Sequence, residues 1–140
     1  MSKVAVVFWS GTGNTEAMAK AVEEGIKGAG AEAVVVAPSA FDASKVNEFD
    51  AIAFGCPAMG NEVLEEGEFD PMFTGIESSL SGKKIALFGS YGWGDGQWMR
   101  DWEERAKSAG AVLACESVMA NDSPDDSAVA SCKALGAALV

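Results

Sequence analysis

Five short apolar runs recur along the chain, at Val4 to Trp9, Ala33 to Ala37, Ala51 to Gly55, Ile85 to Gly89 and Ala111 to Cys115, with helical or mixed segments between them. Continuous β-branched runs such as Val4-Ala5-Val6-Val7-Phe8 suit strands buried on both faces of a parallel sheet. Between the first two runs, Met18, Ala21, Val22, Gly25, Ile26 and Ala29 fall on one helical face. The same spacing links Trp98, Trp102, Arg105, Ala106 and Ala109 from Gln97 onward, and Val129, Cys132, Gly136 and Leu139 near the end. This βαβ alternation predicts an α/β fold of five parallel strands and about as many helices, placed on both faces. The stretch from Phe41 to Glu48 reads either as a short helix or as an irregular crossover. No internal repeat, low-complexity tract or linker interrupts the pattern. At 140 residues, with 49% hydrophobic content, one well-filled core is expected and two are not, so residues 1–140 read as a single domain.

The junction after the first run carries the sharpest motif. Ser10-Gly11-Thr12-Gly13-Asn14-Thr15 lies between a strand ending at Trp9 and a helical stretch beginning at Glu16. A tight glycine turn there aims backbone N–H groups and the positive end of a helix dipole at an anion. Gly11 and Gly13 permit close approach, and Ser10, Thr12, Asn14 and Thr15 add short polar side chains. Neither common nucleotide loop fits: Asn14 stands where a triphosphate loop has Lys, and Glu16 where a dinucleotide fingerprint has a third glycine. An ordinary βα turn capped by Asn14 or Thr12 is the plainer reading. Four hydroxyl or amide side chains around two glycines favour instead a cradle for one terminal phosphate monoester.

In a doubly wound sheet a ligand sits beyond the carboxyl ends of the strands, where the winding direction reverses. Two further loops fall at such ends: Cys56-Pro57-Ala58-Met59-Gly60-Asn61-Glu62, and Ser90-Tyr91-Gly92-Trp93-Gly94-Asp95-Gly96. Tyr91 and Trp93 are flanked by glycines and have little to pack against, which predicts exposure over a planar ligand.

Charge and residue counts remove whole classes of function. The formal net charge is −11 and argues against nucleic acid and anionic membrane surfaces, favouring basic partners. From Val46 to Gly82 there is no Lys or Arg, yet Glu48, Asp50, Glu62, Glu65, Glu66, Glu68, Asp70 and Glu77 all fall there. The absence of histidine removes the commonest general base and transition-metal ligand. Chemistry is therefore expected to belong to a cofactor. Cys56, Cys115 and Cys132 lack metal-like spacing and read as reduced thiols of a cytoplasmic protein. Neither a signal peptide nor a membrane-spanning run is evident, so a soluble protein is expected.

Taken together, the three loops resemble those of the flavodoxins, specifically the short-chain, clostridial-type members, and the resemblance covers essentially the whole chain. It implies a flavodoxin-like doubly wound three-layer fold whose five-stranded parallel sheet has the order 2-1-3-4-5, an architecture for which flavodoxin is itself a standard example. It also implies non-covalently bound FMN. Function would then be low-potential one-electron transport, shuttling between semiquinone and hydroquinone to serve redox partner enzymes. On this reading Ser10, Gly11, Thr12, Gly13, Asn14 and Thr15 hold the phosphate. Met59 covers one face of the isoalloxazine and Trp93 the other, and Glu62 bonds its N3–H edge. Backbone groups of Gly92 and Gly94 meet the pyrimidine carbonyls, while Trp9 and Ser90 line the ribityl and phosphate region. Ala58, Gly60, Asn61, Tyr91 and Asp95 complete the two flavin loops. Close relatives often carry Asp where this chain has Asn61.

Turn chemistry adds an expectation at Gly60-Asn61. A type II turn needs positive φ at its second central residue and a type II′ turn at its first, and Asn and Gly tolerate these respectively. Their shared peptide is therefore expected to flip cheaply, turning the Gly60 carbonyl toward the flavin on one-electron reduction. The acids near the loops are expected to disfavour added negative charge. A unit charge about 10 Å away costs on the order of 0.5 kcal/mol before screening, so several together lower the second potential by on the order of 0.1 V. The same surface is expected to steer basic-surfaced redox proteins, reductases and acceptors, toward a monomer. The alternative, an NAD(P)H-dependent FMN or quinone reductase of the same fold, usually has extra length for substrate pockets. A receiver-type signalling domain needs an acidic pocket where this chain has Phe8-Trp9-Ser10 and Gly55-Cys56-Pro57.

Overall fold

The computed structural model describes residues 2–60, 62–92 and 94–140. Its strands are β1 (Lys3–Phe8), β2 (Glu32–Val36), β3 (Ala51–Gly55), β4 (Lys84–Tyr91), β5 (Val112–Leu113) and β6 (Val118–Asn121). Its helices are α1 (Asn14–Gly28), α2 (Ala43–Val46), α3 (Phe69–Ile76), α4 (Gln97–Ser108) and α5 (Asp126–Ala138). All pairings among the named strands are parallel, in the order β2-β1-β3-β4-β5, with β6 also on β4. The expected order is present, but the fifth strand is split: β5 pairs with the start of β4 and β6 with its end. The apolar run Val118-Met119-Ala120 is only three residues long, too short to be read as a strand beside the longer runs. Between Phe41 and Glu48 the chain makes a single helical turn, α2, capped by the Asp42 carboxylate accepting from Ser44 N–H at 3.1 Å.

Strand residues alternate between two cores, as the pleat requires. Ala5, Val7, Ile52, Phe54, Ile85 and Leu87 face the side covered by α3 and α4, where they meet Phe69, Phe73, Trp98 and Trp102. Val4, Val6, Ala51, Ala53, Ala86 and Phe88 face α1 and α5, with Met18, Val22, Ile26, Leu135 and Leu139. The first core is knit by edge-to-face rings: Phe54 on Phe73 at 5.3 Å and Phe69 on Trp102 at 5.4 Å between centroids. Each of these fully buried side chains contributes roughly 1.5–3 kcal/mol of transfer free energy. Arg105 joins α4 to α3 across the rim, bonding Asp70 at 3.0 Å and Glu77 at 2.7 Å while lying over the Phe73 ring.

On the other face α1 and α5 touch backbone to backbone. A Cβ on Gly25 would fall onto the Lys133 carbonyl, and one on Gly136 onto the Val22 carbonyl, so each helix presents glycine to the other's main chain. Because α1 and α3 leave β1 and β3 on opposite faces, the carboxyl ends of these adjacent strands diverge and open a crevice. Gly136→Ala is expected to force the helices apart and lower stability by about 1–3 kcal/mol, as overpacking does. Urea denaturation of the variant measures this, and an unchanged midpoint would contradict the close approach.

Candidate functional site

The crevice at the ends of β1, β3 and β4 gathers the three loops singled out from the sequence. Helix α1 begins at Asn14 rather than Glu16, so Asn14 and Thr15 form its first turn instead of preceding it. Gly13 has φ 96°, a left-handed conformation natural to glycine, and it redirects the chain into the helix. Ser10, rather than Asn14 or Thr12, supplies the supporting bonds: its Oγ accepts from the N–H of Gly13 at 3.1 Å and of Glu16 at 3.3 Å. Gly11 packs under the Trp9 ring, where a Cβ would lie 3.0 Å from a ring carbon. Thr15 is buried, and its hydroxyl lies 3.0 Å from that of buried Ser90 at the end of β4. One hydrogen bond thus ties the first loop to the third.

The second loop is pinned at both ends. Ala58 N–H donates to the Ser90 carbonyl at 2.9 Å. Met59 and Val63 bond each other in both directions, at 2.9 and 3.1 Å, as an antiparallel bridge that closes a hairpin. Gly60 has positive φ, 45°, and so does Glu62, 57°. Asn61 lies outside the described residues, so the expected peptide flip has no structural counterpart here. Glu62 Oε1 accepts from the N–H of Gln97 at 3.3 Å, at the first turn of α4. Behind the hairpin, Cys56 Sγ accepts from Glu65 N–H at 3.3 Å, and the Cys56 carbonyl accepts from the Trp98 indole at 3.2 Å. Partial burial works against the charge of Glu65, but three backbone N–H groups, of Phe69, Glu68 and Gly67, outweigh it and hold its carboxyl below the usual range.

In the third loop Tyr91 is half-buried against Trp98, with ring centroids 5.5 Å apart, so it is more a packing residue than the sequence suggested. Its remaining surface lines the cleft. Trp93 lies outside the described residues. Asp95 is paired with Arg100 at 2.9 Å, a cation that α4 brings to a loop containing none.

The resulting cleft, about 230 Å³, is lined by Trp9, Gly11, Thr12, Asn14 and Thr15 from the first loop, Pro57, Ala58 and Met59 from the second, and Ser90, Tyr91 and Gly92 from the third. Ser10 and Gly13 shape the cradle from behind. Gly60, Glu62, Gly94 and Asp95 are not among its lining residues; Glu62 and Gly94 are neighbours beside the start of α4. Of the lining residues, Pro57 lies in the second loop but the sequence assigns it no contact, and Asp122 lies outside all three loops. Asp122 follows β6, has φ 56°, and donates its N–H to the Tyr91 carbonyl at 2.8 Å. Only the pairing of β6 with the end of β4 brings it here.

The donor set suits an uncharged handle on an anion: N–H groups at the start of α1 and hydroxyls of Thr12 and Thr15, with no Lys or Arg in the loop. Met59 and Tyr91 supply apolar surface for a flat ring farther along the cleft. These features fit a phosphate-terminated flavin. Among the described residues no cluster of His, Cys, Asp or Glu is arranged to hold a metal.

Comparison with known proteins agrees with this geometry. The sequence model of the family described as flavodoxin matches residues 6–136. The flavodoxin of Clostridium beijerinckii is 46% identical over 121 residues, covering 86% of this chain and 88% of its own. That of Megasphaera elsdenii is 45% identical over 135 residues, 96% of each chain. The solution structure of two-electron reduced Megasphaera elsdenii flavodoxin matches with a TM-score of 0.90 at 45% identity, over 97% of both chains.

The three thiols differ in environment. Burial pushes Cys56 up to about 12 against the opposing N–H of Glu65, and burial alone pushes Cys132 up to about 12. Cys115 is half-buried and raised, by burial first and then by Glu116. Folding favours the neutral thiol at each. Their contribution to stability is therefore full below the ordinary thiol range and is lost as pH climbs toward about 12. At about pH 8 a thiol reagent is expected to modify Cys115 alone, the other two reacting only on unfolding. Three fast thiols in the folded protein would contradict this burial.

Proposed function

The chain belongs to the flavodoxin family and is an FMN-binding electron carrier, an electron-transfer protein rather than an enzyme, and from that premise we propose which residues hold the cofactor and set its potential. FMN, when bound, takes up and releases electrons one at a time. The reading rests above all on one observation: the cation-free cradle at the start of α1 opens into the same cleft as Met59 and Tyr91.

Ser10 through Thr15 hold the phosphate by backbone N–H groups and hydroxyls, Ser10 by fixing the turn and Thr15 by direct contact. Trp9 and Ser90 line the ribityl region, and Ala58 and Met59 cover the inner face of the ring. Gly92, Gly94 and Asp95 border the pyrimidine end. Trp93 and Asn61 carry their roles, the outer ring face and the flipping turn, from the sequence resemblance. Glu62 is the acceptor for the N3–H edge, and in this structure its carboxylate already serves Gln97 N–H, so one side chain answers to both the cofactor and α4. Residues 1–140 act as one FMN-binding domain.

The carrier works at low potential because its cofactor loops are acidic and their charges are unevenly compensated. Glu65 is spent on three N–H donors and Asp95 on Arg100; that exposed pair is worth little. Glu62 and Glu66 have no cationic partner among the described residues. The same acids draw basic-surfaced redox partners to the cleft and, at a net charge of −11, keep the chain monomeric. A cytoplasmic site of action accords with its free thiols, and no helix of the described residues is long and apolar enough to cross a membrane.

Fluorescence titration with FMN is expected to give one tight site, weakened about tenfold in Ser10→Ala, the loss typical of hydrogen bonds that support a charged ligand; an unchanged affinity would remove Ser10 from the cradle. Anaerobic reduction is expected to proceed in two one-electron steps. Glu62→Gln with Glu66→Gln is expected to raise the second potential by about 40 mV, from on the order of 0.5 kcal/mol per charge. A shift near zero would dismiss the electrostatic account. A single two-electron step with turnover of a nicotinamide would favour the reductase reading instead.

A further inference from the structure

A groove of about 720 Å³, roomier than the cofactor cleft, lies between α5 and the segment running from Cys115 through β6. Helix packing accounts for it. Backbone contact at Gly25 and Gly136 holds α5 against α1, so α5 leaves the edge of the sheet partly uncovered. Among the described residues β5 and β6 pair with β4 alone, and their outward backbone groups have no strand partner. The groove is lined by small side chains, among them Ser117, Ser127, Ala128, Ser131 and Ala134. Such walls leave room for an extended backbone alongside a free strand edge, with alternate side chains turned into the groove.

Charge selects the occupant. From Ser108 through Cys132 the sequence holds four carboxylates, Glu116, Asp122, Asp125 and Asp126, and no Lys or Arg. Glu116 and Asp125 line the groove itself. Glu103 of α4 reaches the adjoining segment, accepting from the Ser117 hydroxyl at 2.7 Å. A second copy of this chain would bring the same acids and a net charge of −11, so edge-to-edge pairing of two copies is opposed. We infer that the groove receives an extended, lysine- or arginine-bearing segment of a partner protein, which adds as a strand to the free edge of β6 with its cations toward Glu116 and Asp125. Asn121 and Ser123 line the groove while Asp122 between them lines the cofactor cleft. A segment bound here would anchor a redox partner beside the cofactor without covering it.

The test is an amide NMR titration of the FMN-loaded protein with a short acetylated peptide of alternating lysine and valine, and with its glutamate-for-lysine counterpart. The basic peptide is expected to shift Cys115–Asn121 and Ser127–Leu135 to saturation and to slow alkylation of Cys115. Its dissociation constant is expected to rise about tenfold between about 0.05 M and about 0.5 M salt, and the acidic peptide to leave the spectrum unchanged. Ser131→Trp, on the exposed side of α5, is expected to fill the groove and abolish the response, and Glu116→Gln to weaken it. Shifts confined to the cofactor loops, no shifts, equal response to both peptides, or full binding by Ser131→Trp would each overturn the inference. Flavin absorbance of the same samples reports cofactor loading separately, so a failure of the peptide and a failure of FMN binding are distinguishable.

Discussion

The side-by-side pairing of β1 and β3 is the constraint on which the rest of the molecule depends. Both strands are buried on both faces, and their chains leave in opposite directions, one into α1 and the other toward α3. The Trp9 N–H donates to the Gly55 carbonyl at 3.0 Å and holds the two carboxyl ends together to the last residue before they part. A crevice opens beyond that bond, because no helix or loop can bridge the point where the winding reverses. Every candidate cofactor contact lies on a loop leaving that point, or on the neighbouring end of β4.

Rigidity within the crevice comes from a few bonds between loops distant in sequence. The Thr15 and Ser90 hydroxyls pair in a buried setting, and Ala58 N–H reaches the Ser90 carbonyl. Ser90 is therefore the hub to which the first and second loops are both tied. Buried polar groups are costly unless satisfied, so this small network fixes the relative positions of the loops before any ligand arrives. The second loop gains its own frame from the Met59 and Val63 bridge and from Glu65, whose carboxylate gathers three N–H groups at the start of α3.

Electrostatics divide the surface of the crevice. At one end the start of α1 offers positive potential without a cation; Asp122 is the one carboxylate among the described lining residues, and the other acids of the loops stand outside the cleft. The structure refines the simple picture of uncompensated acid. Glu65 is engaged by backbone donors, Asp95 by Arg100, and Asp70 and Glu77 by Arg105, so nominally equal charges differ in how far they are compensated. Glu62 has no cationic partner among the described residues and links the second loop to the first turn of α4 through Gln97 N–H.

Much was legible in the sequence because the signals were local. Buried parallel strands read as continuous apolar runs, and the tight turn at Ser10–Thr15 read as a strand-to-helix junction, since two glycines and short polar side chains favour one there. Where tertiary contacts outweigh local pattern, the reading stopped short. Val118–Asn121 becomes a strand only because β4 is eight residues long and has an unpaired end to offer, and that pairing alone delivers Asp122 to the cleft. Tyr91, expected over a ligand, is half claimed by Trp98, a neighbour that only the packing of α4 supplies. Sequence by itself determined the class of fold, the glycine turn between the first strand and the first helix and the acidic character of the loops around the crevice, because periodicity, turn chemistry and charge are properties of short segments. The tertiary structure decided which carboxylates are free, which hydroxyls tie the loops together and where a groove stays open beside α5, because each depends on groups that meet only once the chain has closed around its sheet.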